Sequence, residues 1–168
     1  MSQVVEVPVP PNCAVFPRLH NADFYDAWRV STRIPSATAL EAFLAVVKAT
    51  PPWVDFLMAL RNRIVSKLGL KNLGVLSKDG LTQRRDYQPG ERLGIFTVVS
   101  NRPEELLLTD QDKHLDVVIS VYQSSANSSE FTISTVVHTH NWLGKLYMLP
   151  VAPLHKLIVR NMLSKVAV

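Results

Sequence analysis

The spacing of hydrophobic residues changes along the chain and predicts an ordered series of elements. Residues 23 to 31 alternate between two faces, as a β-strand does, whereas residues 38 to 68 show helical spacing. Residues 93 to 140 alternate again in four short runs, and an amphipathic helix ends the chain. An antiparallel meander has one apolar face that must be covered. We therefore predict an α+β fold in which a curved antiparallel sheet wraps around a long C-terminal helix, with a helix pair after the first strand.

Local signals place the ends of the helix pair. Thr38 stands three residues before Glu41, which is the spacing of a capping box. The first helix must stop before Pro51-Pro52, and Pro52 suits the first turn of the second. Gly69 is a predicted C-cap of the second helix.

Polar turns separate the later strands. The predicted strands are Leu93 to Ser100, Glu104 to Thr109, His114 to Gln123 and Glu130 to His140. Leu73 to Leu76 and Leu81 to Tyr87 are two further candidate strands. Pro150 and Pro153 interrupt the final helix, where we expect a kink or a break.

Length and composition predict a single domain over residues 1–168, with residues 1–21 as an extended, proline-rich lead-in. Cys13 is the only cysteine, so no internal disulfide can form. The N-terminus lacks the basic head and apolar run of a signal peptide, and no apolar stretch reaches the roughly 18 residues of a membrane span. These features predict a soluble, cytoplasmic protein.

The charge is mildly positive, because Lys and Arg exceed Asp and Glu by 18 to 14. Arg61, Arg63, Lys67 and Lys71 cluster at one end of the second predicted helix, and Arg84-Arg85 follow soon after. Such a cluster can bind an anionic partner such as a phosphate, a nucleic acid or a lipid head group. A solvated helix face is the interpretation we favour, because nucleic-acid sites usually show denser basic runs with interleaved aromatic residues. No nucleic-acid partner is predicted.

Three stretches resemble a mainly bacterial family known as a domain of unknown function. They are Leu57-Met58-Ala59-Leu60-Arg61-Asn62 with Ile64-Val65 and Gly69-Leu70, His140-Asn141 with Gly144-Lys145 and Tyr147, and Pro153-Leu154-His155 with Ile158-Val159. The resemblance spans most of residues 15 to 165. It implies no established activity, although members also occur fused to short-chain dehydrogenase-like domains.

The order of elements also resembles the START-like, or helix-grip, superfamily. That resemblance implies an apolar cavity between sheet and terminal helix, which many such proteins use to bind lipids, sterols, polyketides or hormones, and some for cyclase or hydrolase reactions. The two prolines near residue 150 depart from the pattern, because they could shorten the helix and make the cavity shallow.

Polar residues at the joint between the last strand and the last helix are candidate ligand contacts. They are His140, Asn141, Tyr147 and His155. In a helix-grip protein this joint lies near one mouth of the cavity, where such groups could orient a ligand. In the alternative we favour, Asn141 caps the helix, Tyr147 packs, and His155 bonds a backbone carbonyl near Pro153.

The first strand contributes a second candidate group. Asp26 lies between Phe24 and Trp28 on one face, and a buried carboxylate there would need a partner. Arg61 is the expected partner in a structural ion pair between helix and sheet. As an alternative hypothesis, Asp26, Trp28 and Arg61 belong to the ligand site.

Other chemistry has weaker support. His138 and His140 share a strand face and could offer two imidazoles to a metal, but their face reads as solvent-exposed and no third ligand is indicated. Cys13 has no neighbouring base in the sequence. No phosphate loop, dinucleotide fingerprint or nucleophile elbow is present, so we predict no metal and no cofactor.

Three functions remain open. The first is binding of a small apolar molecule between the sheet and the terminal helix. The second is an enzyme that uses the same cavity, with His140, Tyr147 or His155 as acid or base. The third is an interaction module for a dehydrogenase-like partner, which predicts a filled core and an exposed apolar patch. A homodimer is compatible with each.

Overall fold

The computed structural model describes residues 4–32, 38–67, 86–124 and 129–167. Seven strands and three α-helices make up these parts of the chain. The strands are β1 (Val4–Glu6), β2 (Phe24–Ser31), β3 (Arg92–Leu93), β4 (Phe96–Asn101), β5 (Glu105–Gln111), β6 (Leu115–Tyr122) and β7 (Glu130–Thr139). The helices are α1 (Ala39–Lys48), α2 (Pro52–Ser66) and α3 (Trp142–Val166). The candidate strands at 73–76 and 81–87 lie largely or wholly outside the described residues.

The strands form one antiparallel sheet in the order β1-β2-β7-β6-β5-β4-β3. Consecutive strands pair from β3 to β7, as a meander does, and β2 then pairs with β7, placing Asp26 opposite Thr135. A register shift between Val98 and Ser100 interrupts the pairing of β4 with β5. The predicted α+β fold, with a curved sheet and a long C-terminal helix, is confirmed, and the arrangement is helix-grip-like.

The helix pair begins with the predicted capping box. The Glu41 backbone N–H donates to the Thr38 side chain at 3.2 Å, and the Thr38 backbone N–H donates to Glu41 at 2.9 Å. The two helices are bent by 88° where they meet at the prolines. Within the described ranges, no single helix has the length and apolar composition to cross a membrane, although this bent pair does when taken together.

Helix α3 runs for 25 residues through both prolines, so the expected break is absent. Each proline removes one N–H and therefore leaves a carbonyl four residues earlier without its helical partner. Those carbonyls belong to Leu146 and Leu149, which are both exposed, so water can solvate them. The prolines consequently do not shorten the helix that covers the sheet.

Hydrophobic residues form a core on each face of the sheet. The inner core packs α1 and α3 against residues such as Val30, Leu106, Val121 and Phe131. On the outer face, Val136 and Val118 pack beneath the lead-in segment, which contributes Val9, Cys13 and Val15. The expectation that this face of β7 is solvent-exposed was wrong, because the lead-in covers it and buries Thr132 and Ser134.

Candidate functional site

A cavity of about 240 Å³ lies between the inner face of the sheet and the three helices. Its described lining is mostly apolar: Phe43, Val46, Val47, Val54, Leu57, Met58, Ile95, Phe96, Ile119, Ile133, Val151, Leu154, Ile158, Val159, Met162 and Leu163, with the polar groups Arg61, Thr135, Tyr147 and His155. The space is partly open to solvent.

A second lobe of about 160 Å³ continues the cavity along α3. Nine lining residues are common to both lobes, including Arg61, Tyr147 and His155, so the lobes adjoin. Asp110 and Asp112 line the second lobe alone. The space therefore has an apolar end, a middle with hydrogen-bonding groups, and an acidic end.

Asp26 and His155 form a buried polar pair beside this cavity. The Asp26 side chain is fully buried, whereas that of His155 is 25% exposed. Oδ2 of Asp26 accepts a hydrogen bond from Nε1 of Trp28 at 2.9 Å. Its other oxygen, Oδ1, lies 3.5 Å from Nε2 of His155. The structure thus pairs Asp26 with Trp28 and His155, and the expected ion pair with Arg61 is not formed.

The Asp26–His155 contact is close but incomplete. At 3.5 Å the two atoms are farther apart than a well-formed hydrogen bond, and neither has another hydrogen-bonding partner among the described residues. The imidazole also meets the Phe24 ring edge-on, with centroids 5.7 Å apart and planes at 86°. His155 is therefore held by the sheet, and not by a carbonyl near Pro153 as we had favoured.

Arg61 of α2 and Tyr147 of α3 form a bridge over the same cavity. Nε of Arg61 donates to the Tyr147 hydroxyl oxygen at 3.0 Å, and the guanidinium carbon lies 5.5 Å from the ring centroid. Nη1 of Arg61 also donates to the side chain of Asn62 at 2.9 Å. Because the phenolic oxygen accepts from Arg61, the hydroxyl proton of Tyr147 can be donated to another acceptor.

Two of the residues predicted at the joint lie away from the cavity. Nε2 of His140 is 3.0 Å from Oδ1 of Asp116, and the His140 side chain is 42% exposed. Asn141 caps α3 by accepting from the Gly144 backbone N–H at 3.0 Å, and its side chain also meets Nδ1 of His114. Trp28 is buried in the inner core and is not among the residues that line the cavity. Of the predicted residues, Arg61, Tyr147 and His155 line the cavity.

His138 near the end of β7 and His140 just after it do not converge on a metal. Nε2 of His138 lies 3.2 Å from the backbone oxygen of His20, while His140 contacts Asp116. In the portions of the chain that the structure describes, no group of three or more His, Cys, Asp or Glu side chains could hold a metal ion.

The surroundings of Cys13 lower the reactivity of its thiol. Its thiol is buried under the sheet and donates to the Pro10 carbonyl at 3.0 Å. Burial raises the pKa of the Cys13 thiol, which keeps it in the neutral and weakly nucleophilic form.

The comparisons with known proteins identify a family. A model described as "Protein of unknown function (DUF2867)" matches residues 18–162. The chain belongs to the DUF2867 family. No curated protein and no solved structure matches it. The match covers β2, α1, α2, α3 as far as Met162 and both residues of the Asp26–His155 pair, so every described residue that lines the cavity except Leu163 lies within the family domain.

Two polar groups of this DUF2867 domain were missed in the sequence. Thr135 faces the cavity between Ile133 and Val137, and strict alternation along β7 would have placed it there. Asp110 was assigned to a turn but is a buried residue of β5, one position before the strand ends at Gln111. A short run of polar residues does not reveal which member still belongs to the strand.

Proposed function

We propose that this chain binds a small, largely apolar molecule in the cavity between the sheet and α3. The observation that carries the proposal is an apolar space of about 240 Å³ with Arg61, Tyr147 and His155 on its wall. For scale, an engineered apolar cavity of roughly 150 Å³ is enough to bind benzene. The apolar lining would supply affinity, and the few polar groups would set orientation.

The spacing of the polar groups indicates an elongated ligand. Tyr147 and His155 are eight residues apart on α3, which corresponds to about 12 Å along the helix axis. A ligand that reaches both groups must extend along α3 with its apolar part towards Ile158 and Met162. The hydroxyl of Tyr147 favours a hydrogen-bond acceptor on the ligand, such as a carbonyl or a carboxylate.

Two neighbouring substitutions on α3 test binding. Ile158 lines the cavity, whereas Leu157 is 57% exposed. We expect Ile158→Trp to fill the space and weaken binding of the uncharged fluorescent probe N-phenyl-1-naphthylamine at least about tenfold. Leu157→Trp adds the same side chain outside the cavity and should bind as the parent does. Thermal melting of both variants would verify that the fold is retained.

Native mass spectrometry of the purified chain would complement the probe by detecting a co-purified molecule. The binding proposal fails if the parent neither takes up the probe nor carries a ligand. Equal probe affinity in the two tryptophan variants would also overturn it, because the probe would then bind elsewhere.

An enzyme that uses the same cavity is a second candidate, and the Asp26–His155 pair favours it. A buried carboxylate that faces one ring nitrogen can orient an imidazole so that its other nitrogen exchanges a proton with a bound molecule. Of the three groups considered from the sequence, His140 lies off the cavity, and Tyr147 is bonded to Arg61. His155 is therefore the proposed acid or base.

Trapping of unreacted substrate distinguishes an enzyme from a binder. We expect a His155→Gln variant to co-purify with a molecule that differs in mass or chromatographic retention from the one bound by the parent. His140→Gln is the matched control, since its imidazole is outside the cavity. If the parent, His155→Gln and His140→Gln all carry the same molecule, the binding proposal stands and the enzyme proposal fails.

A further inference from the structure

Helix α3 carries an exposed apolar stripe on the side opposite the sheet. Trp142, Leu146, Leu149 and Leu157 are between 53% and 74% exposed, and Pro153 is exposed between them. Their spacing of four, three, four and four residues places them on one side of the helix. We call these five residues the α3 stripe. It is about 22 Å long, from the helical rise of 1.5 Å per residue.

Basic residues border the α3 stripe. Helix α3 contains Lys145, Lys156, Arg160 and Lys165 and no Asp or Glu. Arg160 continues the line of the stripe one turn beyond Leu157, and Lys145 lies beside it. Lys156 is held by Glu6 at 2.6 Å, which leaves Lys145 and Arg160 as the cations nearest the stripe.

Helix α2 repeats the pattern. Trp53, Phe56, Leu60 and Ile64 are exposed along one side of that helix, at 37%, 68%, 44% and 53%. Arg63 and Lys67 lie at its C-terminal end. Both helices wall the cavity with their inner faces, so each is apolar on two sides. Isolated exposed hydrophobic residues are normal, but a contiguous row with a basic border is typical of an interaction surface.

We propose that the α3 stripe docks on the surface of a membrane that contains anionic lipids. A helix with tryptophan and leucine on one side and lysine and arginine beside them can lie in the interface between lipid head groups and acyl chains. The basic border complements the negative surface potential of such membranes. This surface needs no membrane-spanning helix.

The charge distribution argues against a second copy of the chain as the occupant. Because α3 has no acidic residue, a symmetric pairing through the stripe would bring Lys145 and Arg160 of one copy close to cations of the other. Like charges at an interface oppose association. The membrane proposal does not depend on whether the cavity holds a ligand, so each can fail alone.

Vesicle co-sedimentation tests the docking surface. The full chain would be mixed with vesicles of phosphatidylcholine alone or of phosphatidylcholine and phosphatidylglycerol in equal parts. We expect binding to the anionic vesicles that weakens as salt is added. Leu149→Glu should reduce the partition coefficient at least about tenfold, because it replaces an apolar side chain that would be buried in the membrane with a charge. Arg160→Gln should reduce it about fivefold on anionic vesicles alone.

A glutamate placed elsewhere on the surface provides the matched control. Val99 on β4 is 40% exposed, and Val99→Glu should bind as the parent does. Absence of binding to anionic vesicles, or equal losses in the Leu149→Glu and Val99→Glu variants, would overturn the proposal. Light scattering without vesicles tests whether a second copy of the chain occupies the stripe. A dimer that Leu149→Glu dissociates would assign the stripe to that second copy and would also overturn the membrane proposal.

Discussion

Burial, more than distance, should determine how much each Asp–His contact contributes to stability. Two such contacts occur among the described residues, each with its aspartate on the same sheet. Asp26 and His155 are 3.5 Å apart with the Asp26 side chain fully buried, whereas Asp116 and His140 are 3.0 Å apart with side chains that are 27% and 42% exposed. Replacing each aspartate with alanine compares the same chemical change in two environments.

We expect Asp26→Ala to lower the free energy of unfolding by about 3 kcal/mol. The substitution leaves the buried Nε1–H of Trp28 without its acceptor, which costs about 1–3 kcal/mol. It also removes the carboxyl oxygen that lies 3.5 Å from Nε2 of His155, and the loss of this electrostatic contact should cost about 1 kcal/mol. Asp116→Ala should cost less than about 1 kcal/mol, since both side chains of that pair reach solvent and water can replace the lost contact.

Urea unfolding followed by circular dichroism measures both variants, and it avoids fluorescence changes caused locally at Trp28. A double-mutant cycle adding His155→Ala to Asp26→Ala, and His140→Ala to Asp116→Ala, isolates each pair. We expect coupling of about 1 kcal/mol for the buried pair and near zero for the exposed pair. If Asp26→Ala costs no more than Asp116→Ala, the role assigned to burial is refuted.

Two further predictions concern the ends of α3 and β7. A Cβ at Gly144 would lie 2.3 Å from the His114 carbonyl oxygen, so Gly144→Ala should destabilise the fold by about 1–3 kcal/mol despite alanine's helix propensity. Lys145→Ala, at the exposed neighbour, should change the unfolding free energy by less than about 0.5 kcal/mol, and equal effects would contradict the steric argument. The Thr139 backbone N–H donates to Asp23 at 2.7 Å and lowers the pKa of that exposed carboxyl. The stabilisation that this hydrogen bond gives should be present at neutral pH and lost as the pH falls through the lowered pKa of Asp23. Asp23→Asn should therefore lower the free energy of unfolding by under about 1 kcal/mol at pH 7 and by nothing in acid. A difference between parent and variant that does not change with pH would contradict this.

The site shows where sequence reasoning succeeded and where it failed. Alternation along β2 put Asp26 and Trp28 on one face, and that face is buried. The alternation could not identify the partner of Asp26, because Arg61 and His155 are both far from Asp26 in the chain. Only the docking of α3 against the sheet brings His155 close. His140 and His155 were equal candidates in the sequence, but the end of β7 leaves His140 beside Asp116.

Local physics determined most of the elements in advance. The capping box at Thr38, the prolines at 51 and 52, and period-two alternation each act within a few residues, so their consequences can be read from the sequence. The order of strands and helices then predicted that a terminal helix covers an antiparallel sheet.

Only the tertiary structure decided which polar groups face the cavity and which surfaces stay uncovered. The lead-in lies across the outer face of β7, α3 continues through Pro150 and Pro153, and the α3 stripe remains exposed. Each outcome depends on the packing of segments distant in sequence, whose contact energies are not encoded in the periodicity of either segment alone.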